Sequence, residues 1–163
     1  MNVIYANEAQ LGIVRALALE TWPATFKDIL SPEQIDYMLD WMYSAASLKD
    51  QFKSGIKFIL AEENDDYFGF AAYEFNYKNE AKTKIHKIYI HPKSQGKGVG
   101  RILINFIAEE AKKHHNNTLT LNVNRYNKAT GFYEKLGFNT MYSEDIDIGN
   151  GYLMEDFVMD KGL

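Results

Sequence analysis

Hydrophobic and polar positions change period several times along the chain, and each change marks an element. Residues 2–6 read as a short strand. Leu11, Val14 and Ala18 then recur at helical spacing. Ser31-Pro32-Glu33-Gln34 starts a second helix: Ser31 caps it, Pro32 suits the first helical position and Gln34 completes a capping box. Ile35, Met38, Leu39 and Met42 continue it as one apolar stripe. Ser47 starts a third, short helix that Gly55 ends. The pattern then predicts a hairpin: a strand over 57–61, a polar turn over 62–66 and a strand over 67–75. A polar loop over 76–82 leads to a strand over 84–90, which stops at His91-Pro92. A glycine-rich turn over 95–100 opens the clearest amphipathic helix, with Val99, Ile102, Leu103, Phe106 and Ile107 on one face and Asn116-Asn117 at its end. Leu119, Leu121 and Val123 alternate with Thr120 and Asn122 as a strand. Ala129, Phe132, Tyr133 and Leu136 mark a short helix stopped by Gly137, and two last strands flank the Gly149-Asn150-Gly151 turn.

This order predicts an α/β fold built on a mixed sheet with helices on its faces. The strand–helix–strand unit over 84–123 needs a right-handed crossover, so its two strands are expected to be parallel, whereas the hairpins are antiparallel. There is no repeat, low-complexity tract or linker, and 163 residues suit a single domain over 1–163, domains holding about 100–200 residues.

The turn after the strand over 84–90 carries the first candidate chemistry. Gly96, Gly98 and Gly100 let the backbone bend and let a ligand approach it. The turn opens a helix whose first N–H groups lack intrahelical acceptors, and Lys93, Lys97 and Arg101 add positive charge, so an anion such as a pyrophosphate suits the place. Neither the P-loop string nor the G-x-G-x-x-G dinucleotide fingerprint is present. The second candidate is Asn127 with Tyr133. Asn127 can cap the short helix. A phenol stays protonated at neutral pH, so Tyr133 can donate a proton to a leaving thiolate. Spacing alone equally reads Asn127 as only a cap and Tyr133 as only core, because Tyr133 shares a face with Ala129 and Leu136.

Composition narrows the choices. The absence of cysteine excludes disulfides, a cysteine nucleophile and thiolate zinc sites. A formal net charge of −4 argues against nucleic-acid binding through bulk electrostatics. No apolar run approaches the ~20 residues that span a bilayer, and the first residues show no signal-peptide pattern, so a cytoplasmic protein without membrane partners is expected. His114 and His115 are adjacent and point apart on a helix, and no third ligand stands near, so no metal is expected.

Gln95-x-x-Gly98-x-Gly100 behind the strand over 84–90, followed by Asn127 and by Phe132-Tyr133-Glu134-Lys135-Leu136-Gly137-Phe138, resembles the GNAT superfamily of N-acetyltransferases. The resemblance covers about residues 84–138. It implies a splayed central mixed sheet flanked by helices, with acetyl-CoA as cosubstrate between two central parallel strands. It implies that the backbones of Ile88 and Ile90 hold the pantetheine and that Gln95, Gly96, Lys97, Gly98, Val99, Gly100 and Arg101 hold the pyrophosphate. It further implies that Asn127 binds the cofactor arm and Tyr133 protonates the departing thiolate. In many members the asparagine lies seven residues before the tyrosine, where this chain has Tyr126, so Asn127 matches less closely than Tyr133. The acceptor amine must lose a proton before attack, and the strand over 84–90 offers Lys84, His86 and Lys87 but no carboxylate. Glu74 and His86 are the candidate bases; each also reads as an ordinary sheet or solvated residue, and a water chain is the alternative.

Residues 21–52, with Thr21-Trp22-Pro23-Ala24-Thr25-Phe26 and Leu30-Ser31-Pro32-Glu33-Gln34, resemble the PaiA-type branch that acetylates spermidine and spermine. Glu33, Asp36 and Asp40 form a carboxylate stripe suited to a polycation, and equally to a solvated helix face. Trp22, Phe26, Tyr37 and Trp41 read either as an aromatic wall for ammonium groups or as core. A small-molecule amine, a polyamine first, is therefore the expected acceptor. A protein N-terminus or lysine, and a non-catalytic acyl-CoA sensor, are the alternatives. Whether the chain is a monomer or a homodimer stays open.

Overall fold

The computed structural model describes residues 1–94 and 96–163. Its strands are β1 (Asn2–Tyr5), β2 (Lys57–Glu63), β3 (Asp66–Glu74), β4 (Lys82–Ile90), β5 (Thr118–Asn124), β6 (Asn139–Gly149) and β7 (Tyr152–Gly162). Its helices are α1 (Leu11–Phe26), α2 (Pro32–Tyr43), α3 (Ala45–Lys53), α4 (Val99–Lys113) and α5 (Ala129–Lys135). The strands are hydrogen-bonded in the order β1-β2-β3-β4-β5-β7-β6, a seven-stranded mixed sheet, as expected. The chain folds into two compact units.

The first unit holds residues 1–74 and 87–107. In it β1, β2 and β3 run antiparallel, with Val3 opposite Ala61 and Leu60 opposite Phe70. Their apolar runs close a core around Ile59, Leu60, Phe70, Val14, Ala18 and Leu103. Helix α2 starts as its sequence dictates: the Ser31 hydroxyl accepts from the Gln34 N–H at 3.1 Å, and Pro32 occupies the first turn. Ile35, Met38 and Leu39 are buried, and Tyr43 extends their stripe. The start of α3 differs from expectation. Ser44, not Ser47, takes the extended cap conformation, and its hydroxyl accepts from the Ser47 N–H at 3.1 Å. Both serines are valid caps in sequence; α2 ends one residue before Ser44, so the earlier one is used.

The second unit holds residues 75–86 and 108–163. Here β4 and β5 pair in parallel, from Lys82 opposite Thr118 to Ile85 opposite Leu121, as the crossover requires. Strand β7 pairs antiparallel with both β5 and β6. Asn150 (φ 56°) and Gly151 (φ 79°) make the tight β6–β7 turn with the left-handed backbone that Asn-Gly tolerates. Helix α4 stops at Lys113, before the expected Asn116-Asn117. Asn116 is instead buried and bonded through both ends of its amide. Its oxygen accepts from the Asn76 N–H (3.0 Å) and the Thr83 hydroxyl (2.8 Å), and its nitrogen donates to Asn76 Oδ1 (2.8 Å) and the His114 carbonyl (3.2 Å). The His114 ring stacks on Phe75, with centroids 3.9 Å apart.

Among the described residues no helix is long and apolar enough to cross a membrane, and no three His, Cys, Asp or Glu side chains are grouped to hold a metal ion.

Candidate active site

In the first unit β4 runs from Lys87 to Ile90 into a turn, and His91 fixes where that turn begins. The His91 N–H donates to the Phe68 carbonyl at 2.8 Å, which ties the strand end to β3. His91 Nδ1 accepts from the Lys93 N–H at 3.2 Å, so Nε2 is the protonated nitrogen, and it meets the Glu20 carboxylate of α1. A Cβ at Gly69 would lie 2.9 Å from the Tyr89 carbonyl oxygen, so β3 reaches β4 this closely only because that residue is glycine. Ile88 and Ile90 are half-buried on this stretch.

Past it, Gly96 (φ 86°) and Gly98 (φ 76°) take backbone conformations that L side chains rarely adopt. Among the described residues nothing lies within 4 Å of where a Cβ would stand on either, so they leave the space over both open. Lys93 and Lys97 are exposed, and both ammonium groups approach the Phe68 ring, at 5.7 and 5.8 Å from its centroid. Arg101 is exposed on the first turn of α4, while Val99 and Gly100 are buried. The Ser94 side chain is fully buried, and its hydroxyl has no hydrogen-bond partner among the described residues. Open space above two glycines, flanking cations, an unspent hydroxyl and the N-terminal end of a 15-residue helix together fit a phosphate-bearing group. Gln95 lies outside the described residues.

Of the two readings of the aromatic residues, core holds for Trp22 and Phe26 but not for Trp41. Trp22 (2% exposed) and Phe26 (5%) belong to a buried cluster with Tyr43, Phe70 and Tyr89, whereas Trp41 stands half in solvent. Glu33, Asp36 and Asp40 are all exposed along α2. The cluster also encloses a residue that periodicity offered and function did not claim. Thr83, Ile85 and Lys87 are buried at every second position of β4. Lys87 is 6% exposed, and its Nζ lies 4.3 Å from the centre of the Tyr43 ring. Burial draws its pKa down to about 8. Counting from Ile85 with a period of two would have found it.

In the second unit Tyr133 is buried, with ring centroids 5.3 Å from Phe132 and 5.7 Å from Phe138. Its hydroxyl makes no hydrogen bond among the described residues. Burial pushes the phenol well above its ordinary range. Asn127 caps α5 from one place further out than expected: Lys128 occupies the capping position, and Asn127 Oδ1 accepts from the Ala129 N–H at 2.9 Å. Its amide nitrogen remains for another acceptor. His86 is exposed, with its ring edge-on to Tyr77 at 5.8 Å. Glu74, in the first unit, is half-buried, and both it and His86 already engage neighbours.

The same unit holds a polar row across four strands. Lys84 Nζ donates to Asn122 Oδ1, and Asn122 Nδ2 donates to Glu144 Oε1 (2.8 Å) and Asp156 Oδ2 (3.3 Å). Burial lowers the Lys84 pKa, and Glu144 and Asp156 push it back up. Asp156 is raised, first by burial.

The acetyltransferase (GNAT) domain model matches residues 26–159. The chain belongs to that family. An uncharacterized N-acetyltransferase of Methanocaldococcus jannaschii is 34% identical over 101 residues, covering 59% of this chain. The L-amino acid N-acyltransferase of Escherichia coli is 28% identical over 88 residues, covering 52% of this chain. The chain spans about half the length of these curated relatives, the matches covering 42% and 51% of them. The PaiA N-acetyltransferase of Thermoplasma acidophilum, solved with coenzyme A, has the same fold: TM-score 0.81 at 24% identity, covering 100% of both chains.

Proposed function

We propose that the chain, acting as one domain over 1–163, transfers an acetyl group from acetyl-CoA to a primary amine of a small molecule. The observation that carries this is the turn after β4, where Gly96 and Gly98 leave open space at the start of α4 between Lys93, Lys97 and Arg101. In this reading Gln95, Gly96, Lys97, Gly98, Val99, Gly100 and Arg101 bind the pyrophosphate. The main chain of Ile88 and Ile90 holds the pantetheine, with polarising N–H groups for the thioester carbonyl, and Asn127 binds the arm through its unused amide nitrogen. Acetyl-CoA supplies the activated acetyl group. Tyr133, with its unpartnered hydroxyl, is the proton donor to the leaving thiolate. Its raised pKa keeps it protonated at neutral pH. Glu74 and His86 are candidate bases.

A polyamine is the acceptor we favour. The PaiA-type resemblance over residues 21–52 and the exposed Glu33, Asp36 and Asp40 stripe support it. The name of the Escherichia coli relative supports small amino-bearing molecules more broadly. The test is thiol release from acetyl-CoA with spermidine, spermine, free amino acids and short peptides side by side. Release with spermidine and spermine is expected. Release only with peptides would shift the acceptor to protein amines, and tight acetyl-CoA binding without release would make the chain a sensor.

A further inference from the structure

The transfer reading leaves the base unassigned. Glu74 and His86 already engage neighbours, whereas among the described residues Lys87 has no hydrogen-bond or ion-pair partner. Its ammonium lies over the Tyr43 ring, and among the described residues it has no hydrogen-bond acceptor and no carboxylate. The ring it faces is Tyr43 of α2, itself backed by Trp22 of α1 and Phe70 of β3. Tyr89 of β4, which packs on Trp22, Phe26 and Phe70, closes the cluster. Tyr43 and Tyr89 are the titratable members, and burial holds Tyr43 as a neutral phenol. A buried cation over one ring, with no counter-ion, is unfavourable for folding. Lysine of this kind is the type whose proton is easily given up. Its place also matches the chemistry. Lys87 directly precedes Ile88 on β4, about 3.3 Å along the strand, and its ammonium lies over Tyr43, the last residue of α2.

We propose that Lys87 is the general base that deprotonates the acceptor amine. This rests on the transfer reading above. The lone pair of neutral Lys87 Nζ takes a proton from the acceptor ammonium. The neutral amine then forms a bond to the acetyl carbon as the carbon–sulfur bond breaks. The thiolate takes the Tyr133 proton, and the proton released from the new amide nitrogen restores the phenol. Lys87 returns its own proton to solvent.

The pair of variants Lys87→Met and Lys87→Arg tests this, because arginine keeps the charge but cannot act as a base. Both are expected to lower kcat about 100-fold, with acetyl-CoA affinity by calorimetry unchanged. The wild-type rate is expected to rise with pH through about 8, a limb missing from both variants. Lysine-selective NMR of the ligand-free protein should show one signal titrating near that pH and absent from Lys87→Met. Full activity in Lys87→Met, rescue by Lys87→Arg, or a Lys87 signal titrating at the ordinary lysine pKa would each overturn the base role while leaving the transfer reading intact. A wild-type protein that releases no thiol with any amine overturns the transfer reading and the base role together. Should either variant fail to fold, the wild-type pH limb and the NMR titration decide.

Discussion

Two lysines three residues apart on β4 show what surroundings do to one side chain. Lys84 donates to Asn122, which in turn holds Glu144 and Asp156; burial lowers its pKa and the two carboxylates offset part of the loss. Lys87 has an aromatic face in place of acceptors, and burial acts on it unopposed. Partnered burial builds structure. Unpartnered burial stores an unfavourable charge that a reaction can use. Tyr133 belongs with Lys87 in this division, being a buried phenol whose hydroxyl bonds to nothing among the described residues.

Removing each group sharpens the contrast. Lys87→Met should stabilise the protein. The interval from about 8 to the ordinary 10.5, at about 1.4 kcal/mol per pH unit, is worth about 3 kcal/mol. A depressed lysine pKa means that the unfolded chain binds more protons across this interval. Wild-type stability therefore rises from pH 8 to 10.5, and the advantage of Lys87→Met is full below pH 8 and gone above 10.5. Urea melts across that range check it. Lys84→Met should do the opposite and cost about 2 kcal/mol, since Asn122, Glu144 and Asp156 lose their cation; a gain in stability would break the comparison. Tyr133→Phe should change stability by less than about 1 kcal/mol, yet lower kcat at least ~10-fold with acetyl-CoA affinity unchanged. Calorimetry beside steady-state rates separates the two. The smallest effect falls at the turn: Gly98→Ala meets no neighbouring atom, so only its positive φ is strained, at about 1 kcal/mol.

How much of this was legible in sequence depended on range. Ser31-Pro32 and Asn150-Gly151 act within a few residues, and both formed as their chemistry requires. The choice between Ser44 and Ser47 was not legible, because both cap equally well and the end of α2 decides. The parallel pairing of β4 with β5 followed from chain order alone. Of the three glycines expected to bend the turn, Gly96 and Gly98 take positive φ, whereas Gly100 already belongs to α4. What periodicity could not separate was which aromatic residues are core: Trp22 and Trp41 both sit on helices, and only packing buries one and exposes the other. Nor could composition say that Lys87 lacks a counter-ion, which is a property of three-dimensional neighbours.

The amide of Asn116 carries a consequence for the order in which the chain folds. Its bonds to Asn76 and Thr83 join residues 40 and 33 apart in sequence. Such bonds give nothing until the segments they join have met, and closing long loops is slow. Asn116 should therefore lock a structure already assembled. Asn116→Ala ought to leave the refolding rate nearly unchanged and to speed unfolding, so that the residue acts as a latch against opening rather than as a guide to closing.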